Sequence, residues 1–110
     1  MAKTAYKSDC RATEKAIVNA IKRYLDKLPE CYVIKTHGSI YSAGQPDLLG
    51  CYKGKTLALE VKRPGGKPTK LQMAMLKKWE AAGAIAAVVH SVEEVKEILG
   101  GMGSVEQAKG

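Results

Sequence analysis

The stretch GQPDLLGCYKGKTLALEVK, residues 44–62, decides the fold. Two apolar runs, residues 47–52 and 55–62, flank Lys53-Gly54, a two-residue turn of the kind that closes a β-hairpin. With Tyr52 opposite Lys55, opposed residues sum to 107, and the rule sets Asp47 against Glu60 on one face of the sheet. Glu60 and Lys62 are two apart on a strand and share that face. Two carboxylates and an ammonium therefore converge among Leu48, Leu49, Leu57, Ala58, Leu59 and Val61. A Glu and a Lys alternating on a strand could be an ordinary ion pair, and Pro46-Asp47 could be an ordinary turn. Charges embedded together in apolar strands need a stronger reason.

Directly opposed carboxylates destabilise a sheet unless something neutral or positive sits between them. A divalent cation removes that cost. Mg²⁺ and Mn²⁺ favour carboxylate and carbonyl oxygens plus water, and the backbone carbonyl of Val61 is a natural further ligand. Such a cation polarises a phosphoryl oxygen and lowers the pKa of a bound water. Lys62 adds a charge that can hold the attacking hydroxide or offset negative charge developing on the phosphorane. The chemistry implied is phosphodiester hydrolysis.

Outward from this stretch, Ala16, Ile17, Ala20, Ile21, Tyr24, Leu25 and Leu28 recur at helical spacing, predicting a helix over 11–28 that Pro29 ends. Residues 31–36 read as a strand, and 37–45 as a Gly/Ser-rich loop. After the hairpin, 63–68 is a Pro/Gly loop. Thr69 opens a helix with Leu71, Met75, Leu76 and Trp79 on its apolar side, closed by Gly83. A short strand over 84–90 follows. Ser91 with Glu94 then forms a capping box for a helix running to about Leu99. The order is α-β-β-β-α-β-α, an α/β chain (α+β, one mixed sheet) with helices packed on it. Residues 1–9 are expected to be a flexible N-terminus, 10–99 the domain, and 100–110, with Gly100, Gly101 and Gly103, a flexible tail.

The chain of 110 residues fits one domain with a mainly aliphatic core, since Phe is absent. Its formal net charge is +7, and between Lys53 and Lys78 eight basic residues face one acid, Glu60. A basic surface of that density suits a phosphate backbone, although a solvated face is the bland alternative. Cys10, Cys31 and Cys51 lack metal-ligand spacing, and no signal peptide or membrane-length apolar run is evident. Free thiols and a cytoplasmic setting, bacterial or in a phage-infected host, are expected.

Gly44-x-Pro46-Asp47, then a hydrophobic strand ending Glu60-Val61-Lys62, then Gln72 ten residues on in a helix, resembles the VRR-NUC nucleases of the PD-(D/E)XK superfamily, in their short stand-alone phage or bacterial form. The likeness spans roughly residues 10 to 99. It implies a restriction-endonuclease-like core that cleaves DNA with Mg²⁺ or Mn²⁺, with Asp47 and Glu60 as metal ligands and Lys62 as the catalytic lysine. It also implies an acid on the first helix. Glu14 shares a face with Ile17 and Ile21 and is the candidate for catalysis and metal binding, against a plain first-turn acid favoured by the helix dipole. Gln72 would orient the site, a water or a phosphate, yet Thr69-x-x-Gln72 is also a capping box.

His37, Arg63, Lys67, Lys70, Lys77 and Lys78 are the expected nucleic-acid contacts. Short relatives resemble homodimers that cut branched DNA such as four-way (Holliday) junctions. A single small chain has one site, so symmetric cutting of two strands calls for two copies. The alternatives are a flap or nicking repair nuclease, an RNA-directed nuclease, and a non-catalytic nucleic-acid-binding protein on a nuclease fold. The last is disfavoured because Asp47, Glu60 and Lys62 are all present.

Overall fold

The computed structural model describes residues 13–36 and 43–109, with side chains as far as residue 101. Seven elements follow in the order the sequence implies. They are α1 (Glu14–Asp26), β1 (Cys31–Lys35), β2 (Leu48–Tyr52), β3 (Lys55–Val61), α2 (Lys70–Ala81), β4 (Ile85–Val89) and α3 (Val92–Lys109). The expected N-terminal stretch 1–9, His37 and Cys10 lie outside the described residues.

The strands form one sheet in the order β1-β2-β3-β4. The first two pairings are antiparallel, and β3 runs parallel to β4 through the α2 crossover. The hairpin register is the expected one: Tyr52 pairs with Lys55 and Leu48 with Leu59. Lys53 and Gly54 both take positive φ, 51° and 83°, as a tight hairpin of this hand requires. Asp47 lies one step beyond the last rung, at the position opposite Glu60.

Alternation along the strands sorts the two faces. Leu57, Leu59 and Val61 point to one face with Val33, Leu48 and Val89, where Ile17, Ile21 and Leu25 of α1 and Val95 and Leu99 of α3 close the core. Full burial of each such side chain stabilises the fold by roughly 1.5–3 kcal/mol. The opposite face carries Ala58 and Glu60, and α2 packs there against β4 and β3 with Leu76 as its buried anchor. On that same face β1 leaves Tyr32 and Ile34 exposed.

Helix ends follow local chemistry. Thr13 caps α1 by accepting from Ala16 N at 3.1 Å, which starts the helix three residues later than periodicity alone suggests. Ser91 Oγ accepts from Glu94 N as expected for a capping box. The return half differs: Glu94 Oε1 accepts from His90 N at 2.8 Å and lies 3.0 Å from His90 Nδ1. α3 continues to Lys109, ten residues past its expected end near Leu99. Glycine costs a helix about 1 kcal/mol relative to Ala but does not stop it as a proline would. Among the described residues, no helix is long and apolar enough to cross a membrane.

Candidate active site

The end of β3 is where the chemistry gathers. β2 stops at Leu48 while β3 runs on to Val61, so β3 loses its antiparallel neighbour at Glu60. Asp47 takes the vacated position. Its Oδ2 accepts from Val61 N at 2.7 Å, standing in for the missing rung. In a strand, the N–H and C=O of one residue point to the same neighbour, so the Val61 carbonyl faces this side too. On the other side Lys62 N donates to Val89 O at 3.0 Å, which fixes Lys62 at the open end of the β3–β4 pair.

Glu60 is 2% exposed. Burial, then the neighbouring Asp47, pushes its carboxyl up to about 8, against the opposing pull of Lys62. Burial also raises Asp47, partly offset by the Val61 N–H. Asp47 favours a proton on Glu60, and Glu60 in turn favours charge on Asp47. Among the described residues, Glu60 Oε1 is the buried side-chain oxygen that finds no hydrogen-bond partner. An oxygen left so costs free energy unless a proton or cation serves it.

Lys62 Nζ lies 3.8 Å from Glu60 Oε2 and 3.9 Å from Glu14 Oε2, with its side chain only 12% exposed. Glu14, the first residue of α1, is half exposed and reaches the site through this ammonium. Its negative charge also acts on Asp47 and Glu60 and raises both. Among the described residues, no three His, Cys, Asp or Glu side chains are gathered as metal ligands. The donor set suits a hard divalent cation. Mg²⁺ commonly takes one or two carboxylates and keeps several waters, and Asp47, Glu60 and the Val61 carbonyl supply that. The unpartnered Glu60 oxygen is the observation that fits.

Gln72 sits in the first turn of α2 with both halves of its capping box formed. Thr69 N donates to Gln72 Oε1 at 2.8 Å and Gln72 N to Thr69 Oγ1 at 3.1 Å. Its amide oxygen is committed to the helix, and only the amide nitrogen can serve the site. Arg63, Lys67, Lys70, Lys77 and Lys78 are all exposed, spread over the loop after β3 and along α2, outside the carboxylate cluster.

Gln45 and Trp79 were missed as a pair by sequence reasoning. Trp79 Nε1 donates to Gln45 Oε1 at 2.9 Å, and Gln45 Nε2 faces Met75 Sδ at 3.6 Å. Gly44 adopts φ +78°, and a Cβ there would lie 2.5 Å from Leu71 Cγ. From the other side Thr36 Oγ1 donates to Pro46 O at 2.6 Å and Thr36 N to Asp47 O at 2.9 Å. A signal existed: the indole N–H of the single Trp, when packed, needs an acceptor.

No family model matches the chain, and no curated protein matches it. The chain is similar to a VRR_NUC domain protein. The two are 16% identical, superpose with a TM-score of 0.66, and share 80% of this chain and 85% of that one. The fold is thus the expected restriction-endonuclease-like one, a four-stranded mixed sheet flanked by helices.

Proposed function

We propose that the chain is a divalent-metal-dependent nuclease acting on DNA phosphodiester bonds. The observation that carries this reading is the Asp47–Glu60 pair with its unpartnered buried oxygen, standing 3.8 Å from the Lys62 ammonium. The likeness in fold to a VRR_NUC domain protein supports it.

Asp47, Glu60 and the Val61 carbonyl would hold Mg²⁺ or Mn²⁺, which supplies Lewis acidity at the phosphoryl group and a more acidic water. The Val61 N–H orients Asp47. Glu60 would have to be ionised, like Asp47, to hold such a cation. Lys62, held by Glu60 and Glu14, faces the charge that develops on the reacting phosphate and offsets it in a site of low exposure. Glu14 positions that ammonium. The Gln72 amide nitrogen orients a phosphate oxygen or water. Arg63, Lys67, Lys70, Lys77 and Lys78 hold the backbone through charge.

The finer reading is a structure-selective endonuclease that cuts four-way junctions as a homodimer. It is supported by the eight basic residues against one acid between Lys53 and Lys78, and by the need for two copies of one site to cut two strands symmetrically. The test incubates wild type, Lys62→Ala and Glu60→Ala with a labelled four-way junction, a matched linear duplex, a single strand and RNA, in Mg²⁺, Mn²⁺ or EDTA. Junction cleavage that needs metal and disappears in both folded variants is expected. Binding of the junction without cleavage in either metal would overturn the catalytic assignment.

A further inference from the structure

The outward stripe of α2 combines basic and apolar residues. Lys70, Met73, Ala74 and Lys77 recur at three- and four-residue spacing and are all exposed. With Pro68 and Thr69 they line a shallow depression of about 360 Å³. Its floor is apolar, its two ends are ammonium groups, and no acid lines it. The first turn of α2 has no acidic residue either. The larger depression between α1 and α3 contrasts with it: that one, about 470 Å³, is lined by Glu93 beside His90, and a carboxylate there repels phosphate. Met73, 36% exposed, lies between the two lysines.

We propose that this stripe docks nucleic acid whose bases are unstacked, with Lys70 and Lys77 on flanking phosphates and Met73, Ala74 and Pro68 against the face of a base between them. The seven-residue separation puts the two lysines about 10 Å apart along the helix, before their flexible stems extend further. An intact duplex offers this surface phosphates alone, because its base faces are covered by stacking. At a branch point, gap or single strand the faces are open, and the apolar floor gains contact it cannot gain from duplex. Charge complementarity selects a polyanion, and the apolar floor selects one with exposed flat apolar faces. The location suits the site: the same helix begins eight residues after Lys62, and its Leu71 abuts Gly44, three residues before Asp47. The inference rests on nucleic acid being the partner, as in the reading above, and does not depend on cleavage.

The test measures binding of the full chain in EDTA, where no metal-dependent cleavage intervenes. The probes are a linear duplex, the same duplex with a short gap, a four-way junction and a polyglutamate peptide, titrated across salt. Met73→Ala should weaken binding to gapped and branched DNA about 3- to 10-fold, the scale of losing one partly buried apolar side chain, and change linear duplex less than 2-fold. Lys70→Ala/Lys77→Ala should lower the slope of log K against log salt by about 2 on duplex and gapped DNA alike. Met73→Ala weakening all DNA equally, or none, would overturn the proposal. So would polyglutamate competing as well as gapped DNA, which assigns the stripe to an acidic protein. A change of oligomeric state in Met73→Ala would overturn it too, assigning the stripe to a second copy. If the Met73 effect is found and wild type cuts nothing in metal, the nuclease reading fails and this one stands.

Discussion

Trp79 Nε1 donates a 2.9 Å hydrogen bond to Gln45 Oε1, tying α2 to the residue two places before Asp47. The β2–β3 ladder ends at Leu48, so no backbone rung to β3 holds Asp47 itself. α2 holds its approach through Trp79, Met75 and Leu71, and β1 holds it through Thr36. Trp79→Phe keeps the ring and removes the donor. Stability should fall by about 1 kcal/mol, the net worth of one such bond. The affinity for Mn²⁺ should fall several-fold, and kcat with it, while KM for nucleic acid holds. Calorimetric titration with Mn²⁺ and steady-state cleavage check this. Lost stability with unchanged Mn²⁺ affinity would show the bond to be packing alone.

Gly44 gives a sharper stability test. Its φ of +78° is strained for any residue with a Cβ, and that Cβ would lie 2.5 Å from Leu71 Cγ. Gly44→Ala should cost more than about 1 kcal/mol, the reverse of the gain seen where alanine fits. Adding Leu71→Ala should recover the part due to crowding and leave the part due to φ. Denaturant midpoints of the two variants separate the contributions. Full recovery in the double variant would mean that the backbone is not strained.

The sequence made the hairpin legible because a two-residue turn fixes register arithmetically: Lys53-Gly54 sets Tyr52 on Lys55, and Asp47 follows opposite Glu60. It made Gln72's double reading legible but not its outcome, since a capping box forms or fails by geometry. Glu14 was legible as near the site because it shares a helix face with Ile17 and Ile21, but its 3.9 Å approach to Lys62 was not, since helical phase gives a direction and not a distance. The Gln45–Trp79 bond joins residues 34 apart. Its distance in sequence is why periodicity, which sees only neighbours, reads Trp79 as one more apolar position.

Glu60 should make the metal-free protein less stable as pH rises. In the folded state it keeps its proton to about pH 8, whereas unfolded glutamate loses it near about 4.3. Between those limits the native state binds the extra proton, so stability is full below the lower limit, falls through the window and levels off above about 8. Asp47, also raised, acts with the same sign. Thermal midpoints in EDTA from pH 5 to 9 should show the decline, and Glu60→Gln should flatten it. Mn²⁺ should raise the wild-type midpoint more at pH 8 than at pH 5.5, because only the ionised pair holds it. A midpoint that climbs with pH across this window in EDTA would refute the burial of an uncompensated carboxyl.

Gln72→Glu separates the two roles of that side chain. A glutamate completes the capping box with Thr69 as glutamine does and suits the positive end of the helix dipole, so stability should stay within about 0.5 kcal/mol of wild type. Thr69→Ala, which removes the cap oxygen itself, should cost about 1 kcal/mol. What Gln72→Glu deletes is the amide N–H₂, the one part of the side chain left free by the cap, and it places a carboxylate where a phosphate would come. Cleavage should therefore fall at least tenfold in Gln72→Glu while Thr69→Ala, assayed well below its thermal midpoint, stays near wild type. Equal activity in wild type and Gln72→Glu would assign Gln72 to the helix start alone and remove it from the site.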